Sequence, residues 1–155
     1  MNPDPRDLYR EVILDHSRRP RGFGPLPAAN HRAEGNNPLC GDRVEVFLEL
    51  RDGRIADIAF QGAGCAISTA SASLMTEALR GMSTEEAQAL FRDFQRMVTQ
   101  EAAAGQEVDE TLGKLKVFAG VSQFPMRVKC ATLPWHTFEA ALVGESSEPV
   151  STETA

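Results

Sequence analysis

The residues best suited to chemistry are three cysteines and one aspartate: Cys40 and Asp42 in Pro38-Leu39-Cys40-Gly41-Asp42, Cys65 in Gly64-Cys65, and Cys130 in Lys129-Cys130-Ala131. On an extended segment residues i and i+2 point the same way, so Cys40 and Asp42 can reach a single ion. Three thiolates and a carboxylate would bind Zn(II) tetrahedrally, or would hold iron more loosely than four thiolates. The plain alternative is that each cysteine is a small core hydrophobe, and no paired C-x-x-C spacing argues otherwise. Against it stands their joint placement beside glycine turns, at what read as element ends. The start of a helix favours thiolate over thiol, and both metal binding and sulfur nucleophilicity need the thiolate. Cys65 and Cys130 are expected at helix starts packed into the core, and Cys40 in a loop free to swing outward.

Other candidates are weaker. His16 continues the inner stripe of a helix and reads as packed; His31 and His136 are minor ligand candidates. Ser68, Thr69, Ser71 and Ser73 have no Gly-x-Ser-x-Gly elbow around them and read as tight helix packing. Gly62-Ala63-Gly64 lacks both the Gly-Lys-Ser/Thr ending of a phosphate loop and the dinucleotide fingerprint.

The elements that must position these residues follow from pattern. Asp4-Pro5 reads as a helix start, with Leu8, Tyr9, Val12, Ile13 and His16 at helical spacing and Pro20 beyond the end. A short strand is weakly signalled around Ala29 to Glu34. Val44, Val46, Leu48 and Leu50 alternate with Glu45, Phe47 and Glu49 as a half-buried strand. Asp52-Gly53 turns it into a returning arm over Ile55 to Gln61. A small-residue helix runs from Ala66 to Arg80. Ser83-Thr84-Glu85-Glu86 caps another, whose core face is Ala87, Leu90, Phe91, Phe94, Met97 and Val98. A polar stretch follows, then a short helix from about Asp109 to Val117. Pro134 suits the first turn of a last helix, which should begin close to Cys130 and run to Gly144. Residues 1–144 then form one domain and 145–155 a disordered tail.

With 155 residues, 42% hydrophobic and 25% charged, the chain fits one ordinary soluble domain. Its formal net charge of -6 disfavours nucleic-acid binding. No apolar run reaches the roughly eighteen residues of a membrane span, and no signal segment leads the chain, so a cytoplasmic location is expected. An odd cysteine count in a reducing compartment leaves the thiols buried, reactive or metal-bound.

Three segments in order make a specific combination: Asn37-Pro38-Leu39-Cys40-Gly41-Asp42; Gly62-Ala63-Gly64-Cys65-Ala66-Ile67-Ser68 with Ala70 to Glu77; and Arg127-Val128-Lys129-Cys130-Ala131-Thr132-Leu133. Over roughly positions 5 to 143 the chain resembles the SufU branch of the IscU/NifU N-terminal family of iron-sulfur cluster assembly proteins. The resemblance implies an α+β fold, a three-stranded antiparallel sheet with helices packed on it. It implies that Cys40, Asp42, Cys65 and Cys130 are the metal ligands. Cys40 would accept persulfide sulfur from a SufS-type, PLP-dependent cysteine desulfurase, with a downstream cluster-assembly scaffold as a further partner. Lys129 stands where IscU-like scaffolds carry a histidine, the chaperone-recognition stretch before it is missing, and the polar region from about Gln95 to Glu110 resembles a SufU insertion. Arg127 matches a SufU arginine that could offset the negative charge of the site. The leading expectation is therefore a zinc-dependent sulfurtransferase, or sulfur carrier. The alternatives are a scaffold for a transient [2Fe-2S] cluster and a zinc-stabilised adaptor domain without transfer chemistry.

Overall fold

A computed structural model describes residues 5–39, 41–99, 110–143 and 150–151. Helix α1 (Pro5–Arg18) precedes strands β1 (His31–Asn37), β2 (Asp42–Arg51) and β3 (Arg54–Ala63). Helices α2 (Ala66–Leu79) and α3 (Thr84–Thr99), a 3-10 helical segment (Glu110–Gln123), helix α4 (Pro125–Val143) and the two-residue strand β4 (Val150–Ser151) follow. The three antiparallel strands expected from sequence are present in the order β3-β2-β1, and β4 adds a fourth beside β1. Of the tail 145–155, only Val150 and Ser151 are described; they pair in parallel with Gly35 and Asn36 of β1.

The β2–β3 hairpin follows directly from Asp52-Gly53. Arg51 pairs with Arg54, which leaves a two-residue loop, and both loop residues have positive φ, 52° and 74°. That is the primed turn whose twist matches a hairpin, and glycine supplies the second left-handed residue without strain. Val44, Val46 and Leu48 are buried on the helix-covered face. On the other face Arg32 pairs with Glu45, and its guanidinium lies 5.9 Å from the centroid of the Phe47 ring.

Helix α2 is the central element, and its small residues let neighbours approach closely. Ser68, Ser71, Ser73 and Thr76 are buried in it, so their hydroxyls must find partners. Ser71 Oγ donates to the Ala131 carbonyl at 2.5 Å and accepts from Trp135 Nε1 at 3.1 Å, joining α2 to α4. The capping box at α3 is formed as expected: the Glu86 amide donates to Ser83 Oγ and the Ser83 amide to Glu86 Oε1, each at 3.1 Å. The α3 stripe then stacks Phe91 and Phe94 on Trp135 at centroid distances of 5.8 and 4.8 Å.

Two expectations are corrected. The last helix begins at Pro125 rather than near Cys130, so Cys130 lies inside α4 and Pro134 is an interior proline. Pro125 is the proline that takes the favoured first-turn position. Pro134 costs the helix about 3 kcal/mol in propensity, but Leu133, Trp135, Phe138 and Ala141 are all fully buried around it. Burial of that size outweighs the break. The short helix expected from Asp109 to Val117 is instead a longer 3-10 segment interrupted at Gly113, where φ is 53° and ψ is -126°. Asp109 lies outside the described residues. Leu112, Leu115, Phe118 and Val121 recur every three residues, the 3-10 period, and all reach the core.

His16 is packed, as its place in the stripe indicated. Its Nδ1 lies 2.6 Å from Ser73 Oγ and its Nε2 3.4 Å from Glu77 Oε1. Burial is the largest influence and lowers its pKa below 6.5; Arg21 and Lys114 act the same way, while Glu77 and Asp15 oppose them. The folded state therefore holds His16 neutral where the unfolded chain would take up a proton. Its contribution is whole above pH 6.5 and declines as the pH falls from there towards the folded pKa. His136, also lowered by burial, adds to the same trend. Urea unfolding midpoints should drop between about pH 7 and 5, and His16→Asn should flatten that dependence in part. An unchanged slope in the variant would remove His16 from the account.

Candidate metal centre

Asp42 opens β2, Cys65 caps α2, and Cys130 lies in α4, so the site stands where the ends of two strands meet two helices. Each donor is held by its backbone. Asp42 is 2% exposed, and its Oδ1 accepts the Cys65 amide at 2.8 Å, which leaves Oδ2 turned to the sulfur 3.6 Å away. Cys65 has extended N-cap geometry, φ -70° and ψ 170°, and its sulfur takes the amide of Ser68 at 3.4 Å. Here a cysteine sulfur does what the Ser or Asp oxygen does at an ordinary N-cap, and the helix dipole favours negative charge on it. Gly64 permits the approach: a Cβ there would clash with Ser68 Oγ and sit 3.1 Å from Asp42 Oδ1.

One ligand atom from each of Asp42, Cys65 and Cys130 lies within 4.8 Å of the others. Two sulfurs and a carboxylate oxygen at that spacing fit a zinc ion in donor type and number, with one tetrahedral position left for a fourth ligand. The electrostatics are those of a site built to carry negative charge. Cys65 is pulled down to about 6, first by the hydrogen bond from Cys130 and then, against burial, by the Ser68 amide. Cys130 is raised, because it holds the proton the pair shares and because it is buried.

Cys40 lies outside the described residues. Its neighbours frame a tight turn between β1 and β2: the Gly41 amide donates to the Asn37 carbonyl at 2.8 Å, and Gly41 has a φ of 74°. Cys65 is exposed rather than packed into the core, whereas Cys130 is buried, though inside a helix rather than at its start. The exposed Arg127 guanidinium lies 4.5 Å from the Phe124 ring centroid, and Lys129 is half-buried; neither contributes a ligand atom. Among the described residues no histidine joins the group: His16 faces Ser73 and Glu77, His31 Nδ1 meets the Ala141 carbonyl at 2.9 Å, and His136 packs edge-on against Phe91. The sequence reading assigned no role to Asn37, which is wholly buried with its Nδ2 3.9 Å from the Cys130 sulfur. Its place three residues before Cys40 was visible, but asparagine beside proline reads first as a turn residue.

Fold and donor set together define an α+β domain with a candidate metal site. The chain belongs to the NifU-like N-terminal domain family, whose model matches residues 8–142. It is 45% identical over 137 residues to the iron-sulfur cluster assembly scaffold protein IscU of Streptococcus pyogenes, covering 87% of this chain and 82% of that one. It is 41% identical over 140 residues to the zinc-dependent sulfurtransferase SufU of Bacillus subtilis, covering 89% and 91%. Among solved structures, a putative iron-sulfur cluster assembly scaffold protein for the SUF system from Fervidobacterium islandicum superimposes with a TM-score of 0.74. That protein is 37% identical, with 90% of this chain and 99% of that chain covered. No helix among the described residues is long and apolar enough to cross a membrane.

Proposed function

We propose that this protein is a zinc-dependent sulfurtransferase of iron-sulfur cluster assembly, accepting sulfur on Cys40 from a SufS-type, PLP-dependent cysteine desulfurase. The observation that carries the reading is the three-donor group of Asp42, Cys65 and Cys130, one ligand short of a closed zinc site, with Cys40 two residues from Asp42. The likeness to a relative named as a zinc-dependent sulfurtransferase supports it. Cys40, Asp42, Cys65 and Cys130 would hold the zinc, which would supply a redox-inert positive charge that keeps the sulfurs as thiolates.

The chain's own residues supply the remaining steps. Cys40, freed when the desulfurase docks, attacks the outer sulfur of the desulfurase persulfide. A sulfur–sulfur bond forms on Cys40 as the desulfurase S–S bond breaks, and the desulfurase cysteine leaves as a thiolate. An acceptor thiol, on a downstream cluster-assembly scaffold or a carrier, removes the sulfur in the same way. Asp42, Cys65 and Cys130 stay in place and keep β2, α2 and α4 together. Lys129, at the position where IscU-like scaffolds are expected to carry a histidine, favours transfer over building a cluster.

The second reading, a scaffold for a transient [2Fe-2S] cluster, uses the same residues and draws on the relative named as a scaffold. A zinc-stabilised adaptor is the third. Protein purified without added metal should contain about one zinc per chain, and incubation with desulfurase and cysteine should add about 32 Da, one sulfur, to Cys40. Cys40→Ala should keep much of the zinc and lose the adduct. A coloured iron-sulfur species with little zinc would promote the scaffold, and zinc without any adduct would leave the adaptor.

A further inference from the structure

Asn37 is the last residue of β1 and pairs across the sheet with Asp42. It is wholly buried, and buried amides must place both ends. Its Oδ1 accepts the Leu39 amide at 3.2 Å, two residues on, closing the turn that leads to Cys40. That bond fixes which way the amide faces, so the NH2 end is directed at the Cys130 sulfur at 3.9 Å. A single side chain thus touches both the sulfur of one ligand and the loop that carries another.

We propose that Asn37 is a positioning residue that divides labour among the cysteines: its amide hydrogen quiets the Cys130 sulfur while its carbonyl oxygen holds the turn that presents Cys40. The proposal rests on the reading of these cysteines as ligands. A hydrogen bond into a thiolate withdraws electron density and lowers its nucleophilicity, whether or not the sulfur is bound to a metal. Cys65 receives the Ser68 amide in the same way. Cys65 and Cys130 are therefore each tied to an N–H donor and kept as ligands. In Asn37 the second of those donors is built into the same residue that shapes the Cys40 loop.

Two variants separate the two ends of the amide. Asn37→Leu keeps the volume and removes both polar ends. Asn37→Ser keeps an oxygen able to accept the Leu39 amide but cannot reach Cys130. Each protein is treated with N-ethylmaleimide as purified, whatever metal it carries, and labelling of Cys40, Cys65 and Cys130 is followed by peptide mass spectrometry. Metal release to a chromophoric chelator is followed in parallel. Both variants should release metal about tenfold faster, the usual scale for losing a partner of a metal ligand. Metal loss frees every ligand alike, so rates are compared with that of Cys65: Cys130 should gain on Cys65 in both variants, and Cys40 should change relative to Cys65 only in Asn37→Leu. A general loosening would speed all three cysteines together and overturn the proposal, as would unchanged Cys130 labelling in the two folded variants. If one variant fails to fold, the Cys130 rate in the other decides. Because no desulfurase takes part, failure of sulfur transfer itself appears only in the adduct experiment above.

Discussion

Cys130→Ala is expected to lose its zinc and a large part of its stability, more than any other single change at the site. Cys130 is 4% exposed, and its sulfur lies against Cys65, Asp42 and Asn37, so its removal leaves donors from two other elements with nothing to close on. A ligand that binds only the folded state adds about 4 kcal/mol when present at roughly 1,000 times its Kd. For a chain of this size that corresponds to about 8–16 °C in Tm. Cys65→Ala should follow the same direction and also deprive the Ser68 amide of its N-cap acceptor. Zinc content by elemental analysis, with melting curves before and after chelation, reads both effects. The variants should melt where the chelated wild type melts. Cys130→Ala protein that retains a full zinc and the wild-type Tm would remove Cys130 from the ligand set.

Trp135→Ala should be the most damaging change away from the metal. The indole is fully buried, stacks on Phe91 and Phe94, and donates from Nε1 to Ser71 Oγ, which itself donates to the Ala131 carbonyl. Truncating a buried tryptophan costs about 3–5 kcal/mol through the cavity it leaves. Trp135→Phe should cost less, since it keeps most of the volume and loses the hydrogen bond to Ser71. Urea unfolding of the two variants checks this ranking. Equal stability of Trp135→Ala and wild type would mean that the α2–α3–α4 packing collapses around the gap.

Much of this architecture is legible in the sequence because local chemistry decides it. Asp52-Gly53 dictates a two-residue turn whatever surrounds it, and Ser83 with Glu86 specifies a capped helix start within four residues. Of the candidate ligands, Cys40, Asp42 and Cys65 stand out beside Gly41 and Gly64, and Asp42, Cys65 and Cys130 do converge. What was not legible depends on tertiary context. With prolines at both 125 and 134, either can open the last helix by local rules; the burial of Trp135 and Phe138 decides for Pro125. The 3-10 segment carries Leu112, Leu115, Phe118 and Val121 at a period of three, which a reading tuned to the 3.6-residue period passes over. Asn37 is a turn residue by its neighbours, and only the arrival of α4 makes its amide a partner of Cys130.

The dispersion of the donors along the chain has a consequence for how the protein would come apart. Asp42 and Cys65 are 23 residues apart, and Cys130 meets Asn37 across 93, so the site exists only after β2, α2 and α4 have docked. Contacts of such long separation form late, after the local hairpin and helices. Interactions absent from the folding transition state slow unfolding and leave the folding rate nearly untouched. Bound zinc should therefore act as a kinetic latch: the unfolding limb of a chevron measured with zinc should lie well below the limb measured with chelator, while the two folding limbs coincide.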